Sequence, residues 1–218
     1  MLKSYKNTRH ASSIEKAVGV LMTCKRTAPA FGFIHPYIAP GGLYGDCWWS
    51  LDAALAVDGL LWIEPQMGRY LLENLMAVQK PDGRIPLYGK DTFSHISSVQ
   101  EPIGSLPKFF ESCFRVVNID SDLTQAHHAY MLFSRNLEWW FTRRQDPHTR
   151  LITAVFEETF IPNTVSGSGV YAPMDTNMEV AAGCRYTARL ADKLGKKQEA
   201  AYYRAKESDI LHAVSQQL

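Results

Sequence analysis

The sequence predicts an all-α fold, part of an (α/α)6 toroid of helical hairpins. Three observations predict it. Apolar residues recur at intervals of three and four almost throughout, connections between helical segments alternate between very short and very long, and no stretch alternates strictly enough for a buried sheet. Periodicity places helices over Ser12 to Arg26, Trp49 to Ile63, Pro65 to Gln79, Ser105 to Asn118, Ser121 to Gln145, Asp175 to Leu194 and Lys196 to Gln217. In the fifth, Tyr130, Phe133, Leu137 and Trp140 form one face; in the sixth, Val180, Cys184, Thr187, Ala191 and Leu194 do the same. Pro65 suits a first helical position, where a missing N–H costs nothing, and Gly195 suits a helix end that needs positive φ.

Short connections at Glu64, Asp120 and Gly195 join helices two to three, four to five and six to seven as antiparallel hairpins. Long connections of roughly twenty residues precede helices two, four and six, and loops of that length in a compact domain usually carry function. Hairpins running up and down around an axis bring all three long loops to one rim. A stacked helical-repeat scaffold is the competing architecture, since residues 190–200 look like a tetratricopeptide turn, but no period near 34 residues recurs.

Length and composition allow one domain over residues 1–218: 46% of the chain is hydrophobic, enough for one sizeable core. Lys and Arg number 23 against 22 Asp and Glu, which argues against a nucleic-acid or anionic-lipid partner. The start, Met1-Leu2-Lys3-Ser4-Tyr5-Lys6-Asn7, lacks the apolar run of a secretory signal, and the expectation is a cytoplasmic protein outside the membrane. Cys24, Cys47, Cys113 and Cys184 lie far apart, as expected of reduced packing residues. His127 and His128 fall about 100° apart on a helix and do not form a metal-ligand pair, so no metal is expected.

Residues able to carry chemistry gather at the long loops. Trp48, Trp49 and Asp52 stand at the mouth of the second helix, and indole faces beside carboxylates suit a pyranose, whose C–H face stacks while its hydroxyls hydrogen-bond. A buried Trp pair with an Asp that merely complements the helix dipole explains the same pattern. In Pro81-Asp82-Gly83-Arg84, Gly83 supplies a turn with positive φ, and Arg84 points either to solvent or to the rim. The third long loop sets Glu157 and Glu158 between Phe156 and Phe160. A carboxyl against aromatic surface loses solvation as an anion and can stay protonated as a general acid; a solvated acidic pair is the alternative. Asp175 also reads as a helix N-cap, and Trp139-Trp140 as core.

These residues carry a family resemblance. Trp49-Ser50-Leu51-Asp52, Gln79-Lys80-Pro81-Asp82-Gly83-Arg84-Ile85-Pro86, Ser105-Leu106-Pro107, Leu137-Glu138-Trp139-Trp140 with Arg143, Arg144 and Asp146, and Asp175-Thr176-Asn177 resemble, in that order, segments of the (α/α)6-barrel glycoside hydrolases. These include trehalase, family 63 α-glucosidase and mannosylglycerate hydrolase. The resemblance implies inverting hydrolysis of an α-glucoside or α-mannoside without a cofactor: one carboxyl protonates the leaving oxygen and a second activates water on the opposite ring face. It places the acid at Glu158 or Glu157, with Glu158 preferred, although the family uses Asp there. Trp48, Trp49, Asp52, Arg84 and Asp175 are then expected to shape the sugar subsite. The family barrel has about twelve helices where about seven are read here, and its general base lies beyond the last hairpin present. The expectation is therefore an N-terminal part of a catalytic domain, inactive by itself, whose open half-toroid is covered by a C-terminal partner segment or by self-association. A noncatalytic helical scaffold or sugar-binding remnant is the alternative function; a toroid cyclase is a weaker one, since no Asp-rich motif is visible.

Overall fold

In the computed structural model, the described residues are 9–27, 31–42, 46–87, 102–120, 122–155, 158–160 and 171–217. They form seven helices: α1 (Ala11–Thr23), α2 (Ser50–Leu60), α3 (Gln66–Val78), α4 (Phe109–Asp120), α5 (Leu123–Arg143), α6 (Met174–Lys193) and α7 (Lys197–Gln217). The all-α expectation holds, and none of these helices is long and apolar enough to cross a membrane.

Local chemistry sets the boundaries. Asp122 opens α5 by accepting from the Thr124 N–H at 2.8 Å. Pro65 precedes α3 already at helical angles, φ −54° and ψ −27°. Gly195, at φ +75°, turns the chain from α6 into α7. Two expected starts and stops shift. α4 begins at Phe109 rather than Ser105, because Pro107 keeps Leu106 out of the helical region and Ser105 donates back to the Pro86 carbonyl at 2.8 Å. α1 stops at Thr23, and Lys25–Arg26 (β1) pairs antiparallel with Tyr37–Ile38 (β2) instead of continuing the helix. The anchors of that turn are Lys25 on Glu64 at 2.6 Å and Arg26 on Asp46.

Side-chain register reveals two layers. Ser112 Oγ donates to the Ala54 carbonyl and Arg115 lies near Asp58, so α4 runs parallel to α2; Lys108 reaches Glu179 and Phe114 packs on Tyr186, so α6 runs parallel to α4. Arg185 pairs with Glu207 and Asp192 with Arg204, which makes α7 antiparallel to α6. On the other layer, Lys196 sits over Tyr130 and Lys206 over Phe141, so α5 and α7 run parallel. The main core fills the space between the layers and includes Leu72, Leu75, Phe109, Phe110, Phe133, Leu137, Trp140, Val180 and Cys184. The face foreseen from periodicity in α5 is buried, as are Val180, Cys184, Thr187 and Ala191 of the face foreseen in α6 and the pair Trp139-Trp140, while Leu194 is partly buried against the core. Gly183 packs so closely under Phe110 that a Cβ would collide with its ring. Of the cysteines, Cys113 and Cys184 are buried packing residues, whereas Cys47 is exposed.

Candidate functional site

The long connections meet at one end of the molecule, where α2, α4 and α6 begin. Ser50 Oγ donates to the Leu106 carbonyl at 3.2 Å, joining the first connection to the second. The Ser105 N–H donates to the Ile85 carbonyl at 2.8 Å, and Pro86 bridges to Gly104. The third connection is tied to the second through Glu158.

Glu158 is fully buried, and each of its carboxylate oxygens accepts two hydrogen bonds. Oε1 receives the Gly104 N–H at 2.7 Å and Arg144 Nη2 at 2.9 Å; Oε2 receives Arg144 Nε at 2.9 Å and the Val155 N–H at 3.1 Å. Arg144 also donates to the Pro102 carbonyl at 3.2 Å and lies 4.9 Å over the Trp139 ring. This geometry is that of an acceptor-only carboxylate in a bidentate pair. A carboxylic proton on either oxygen would face an N–H donor, and no saccharide reaches a side chain with no exposed surface. Glu158, expected from sequence as a proton donor, is placed here as a tie between the second and third long connections. Glu157 lies outside the described residues, as do Phe156 and residues 161–170.

Asp175 is also occupied. Its Oδ2 accepts from Thr159 Oγ1 at 2.6 Å and from the Phe160 N–H at 2.5 Å, and Oδ1 accepts from the Thr176 N–H at 2.8 Å. It is not the N-cap of α6, a position held by Pro173, but a staple from the first turn to the connection before it. Arg84, 5% exposed, turns inward rather than to solvent, donating to the Ile103 carbonyl at 3.1 Å. Gly83 has the expected positive φ, +95°, and its missing side chain lets the loop rest on the Arg135 carbonyl. Trp48 is 1% exposed and packs edge-on against Phe33, with ring centroids 5.1 Å apart, so it belongs to the core and is no stacking platform. Its neighbour Trp49 precedes α2 in an extended conformation and stays partly open.

What remains accessible is carried by the helix starts. Asp52, in the first turn of α2, is partly buried, and no other described residue donates to its carboxylate; burial raises its pKa, its own backbone N–H offsetting part of that rise. Lys108, immediately before α4, reaches Glu111 Oε2 at 2.8 Å and Glu179 Oε1 at 3.3 Å. Burial works against the Lys108 charge, but the bonds to Glu111 and Glu179 outweigh it and its pKa rises. The Lys108 hydrogen bond lowers the Glu111 carboxyl, whereas burial raises Glu179 despite Lys108. Lys108, Glu111 and Glu179 were not foreseen from sequence. The spacing of Lys108 to Glu111, at a helix start beside Pro107, and of Asp175 to Glu179, one turn apart, were the available signals. On the same end, a cavity of about 150 Å³ is lined by Asp82, Pro102, Trp139, Arg143 and Arg144.

No protein-family model matches the chain, and no curated protein matches it.

Proposed function

We propose that the chain is the saccharide-binding half of an inverting glycoside hydrolase catalytic domain, an open part of an (α/α)6 toroid that does not turn over substrate by itself. One observation carries this reading. The long connections converge on the end where three parallel helices begin, and there Asp52, Lys108, Glu111 and Glu179 form a partly buried polar rim next to Trp49. Carboxylates and an ammonium group at that depth are matched to sugar hydroxyls, and a partly open indole offers a stacking face.

In the reaction so proposed, one carboxyl protonates the glycosidic oxygen while a base about 6.5–9.5 Å away activates water. With Glu158 committed to Arg144, the donor's part passes to Glu157. The base comes from outside this chain, which is why no turnover is expected. Glu158's commitment also favours a second reading, a sugar-binding domain without catalysis.

Hydrolysis of aryl α-glucosides and α-mannosides by the 218-residue chain should be undetectable, while methyl α-glucoside or methyl α-mannoside should bind saturably. Turnover abolished by Glu158→Gln in a still-folded protein would refute both the missing base and the clamp. Absence of binding to either glycoside would refute the saccharide reading. A polypeptide extended past Leu218 separates the two readings, since hydrolysis marks the enzyme and binding without hydrolysis marks the sugar-binding domain.

A further inference from the structure

The face that α2, α4 and α6 turn away from the core carries a groove of about 660 Å³, lined chiefly by Leu61, Trp62, Phe114, Ile119 and Tyr186. It is unusually apolar for a surface. Trp62 is 66% exposed and Ile119 58%, and Leu55 and Met178 are also large exposed apolar residues of α2 and α6. Two charged groups in its lining are poorly matched. Asp58, on α2, is partly buried: its Oδ1 is buried without a donor, and its Oδ2 lies 3.5 Å from Arg115, a long contact that Arg115 shares with a much closer one to Glu111. Arg189, on α6, has no carboxylate within ion-pair distance among the described residues and lies 5.9 Å over the Phe114 ring.

These two groups stand at one height on opposite sides of α4. Arg115 marks the level of Asp58, and its neighbour Phe114 marks the level of Arg189. A rotation about an axis parallel to the three helices conserves height. A two-fold axis running along the open mouth of the groove therefore brings α6 of each copy beside α2 of the other, with Arg189 facing Asp58 of the second copy at both seams. Such an arrangement is isologous: each poorly matched charge faces the opposite poorly matched charge of an identical chain.

We infer that a second copy of this chain covers the groove, two three-hairpin units closing one ring of six parallel helices around the joined apolar faces. This inference rests on the half-toroid reading above, and it makes the saccharide-binding end a composite of both copies. A covering helix from another polypeptide would have to supply an acid for Arg189 and a donor for Asp58; the second copy supplies both without further assumption.

Sedimentation equilibrium of the intact chain should give twice 24.6 kDa. Arg189→Asp and Asp58→Arg, each alone, should weaken association by more than about tenfold, since each places like charges at both seams. Mixing the two variants should restore the dimer, because in that pair each seam regains one Arg and one Asp. Circular dichroism melting establishes that each variant is folded; if Asp58→Arg unfolds beside Arg115, Trp62→Glu replaces it as the test of the apolar face. A monomeric wild type, a dimer unmoved by Arg189→Asp and Trp62→Glu, or charge reversals that do not rescue one another would overturn the inference. These masses are read without sugar, so a monomer that binds glycoside removes only the dimer, and a dimer that binds none removes only the saccharide reading.

Discussion

The connections and the helix face they crown treat their charges in opposite ways. In the connections, Glu158 and Arg144 are buried and hydrogen-bond to backbone and to each other, and Asp175, partly buried at the start of α6, is taken up by Thr159, Phe160 and Thr176. On the face of α2, α4 and α6, Asp52, Asp58, Glu179 and Arg189 are partly open and incompletely matched. The lesson is that acids in a long loop are not thereby available for chemistry. A loop without regular structure must satisfy its backbone N–H groups, and a buried carboxylate is the strongest acceptor for them. Availability is greater on the regular helices, where most backbone groups beyond the first turn are paired within the helix.

The sharpest way to break this comparison is at the clamp. Glu158→Gln leaves Arg144 buried without its anion, and denaturant unfolding should register a loss of about 3–5 kcal/mol. An unchanged stability would make Glu158 a free acid after all. Trp48→Ala should cost a similar amount, about 3–5 kcal/mol, as deletion of a core indole, with Trp49→Ala costing clearly less. Equal effects would show that the two indoles share one environment. Asp175→Ala removes hydrogen bonds to Thr159, Phe160 and Thr176, and a loss of about 1.5–3 kcal/mol in the same assay is expected.

On the open side the effects are smaller and fall on binding or on pH. Lys108→Met should weaken glycoside affinity by about tenfold while leaving the fold intact, because the ammonium group is one of the donors at the rim. Asp52→Asn sharpens the contrast through pH. Burial raises the folded-state pKa of Asp52 above its unfolded value, so the folded state binds more protons between the two values and wild-type stability falls as pH rises through that window. The variant lacks this loss. Its melting temperature should match that of wild type below the ordinary carboxylate range and exceed it slightly at neutral pH; a gap that opens in the acid instead would reverse the assignment.

The helices were legible in the sequence because a 3.6-residue period, Pro65 and Gly195 are local signals. The two-residue strand pair was not, since Lys25 and Arg26 leave the helix for partners Glu64 and Asp46 that are distant in sequence. The meeting of the long connections was legible from their alternation with short ones. Roles within the site were only partly so: composition marks Trp48 and Trp49 alike, and only packing against Phe33 tells the buried indole from the partly buried one. Glu158 looked like a proton donor for the same reason that it is a clamp. A carboxyl among apolar residues either stays protonated or finds a cation, and Arg144 follows a helix end whose proximity no spacing rule discloses.

The central claim is that saccharide binds where α2, α4 and α6 begin. Amide chemical-shift mapping of the labelled chain during titration with methyl α-glucoside and methyl α-mannoside tests it most directly. Saturable shifts concentrated at residues 49–55, 105–112 and 175–182 are the predicted result; no saturable shift, or shifts confined to residues 196–217, would contradict it.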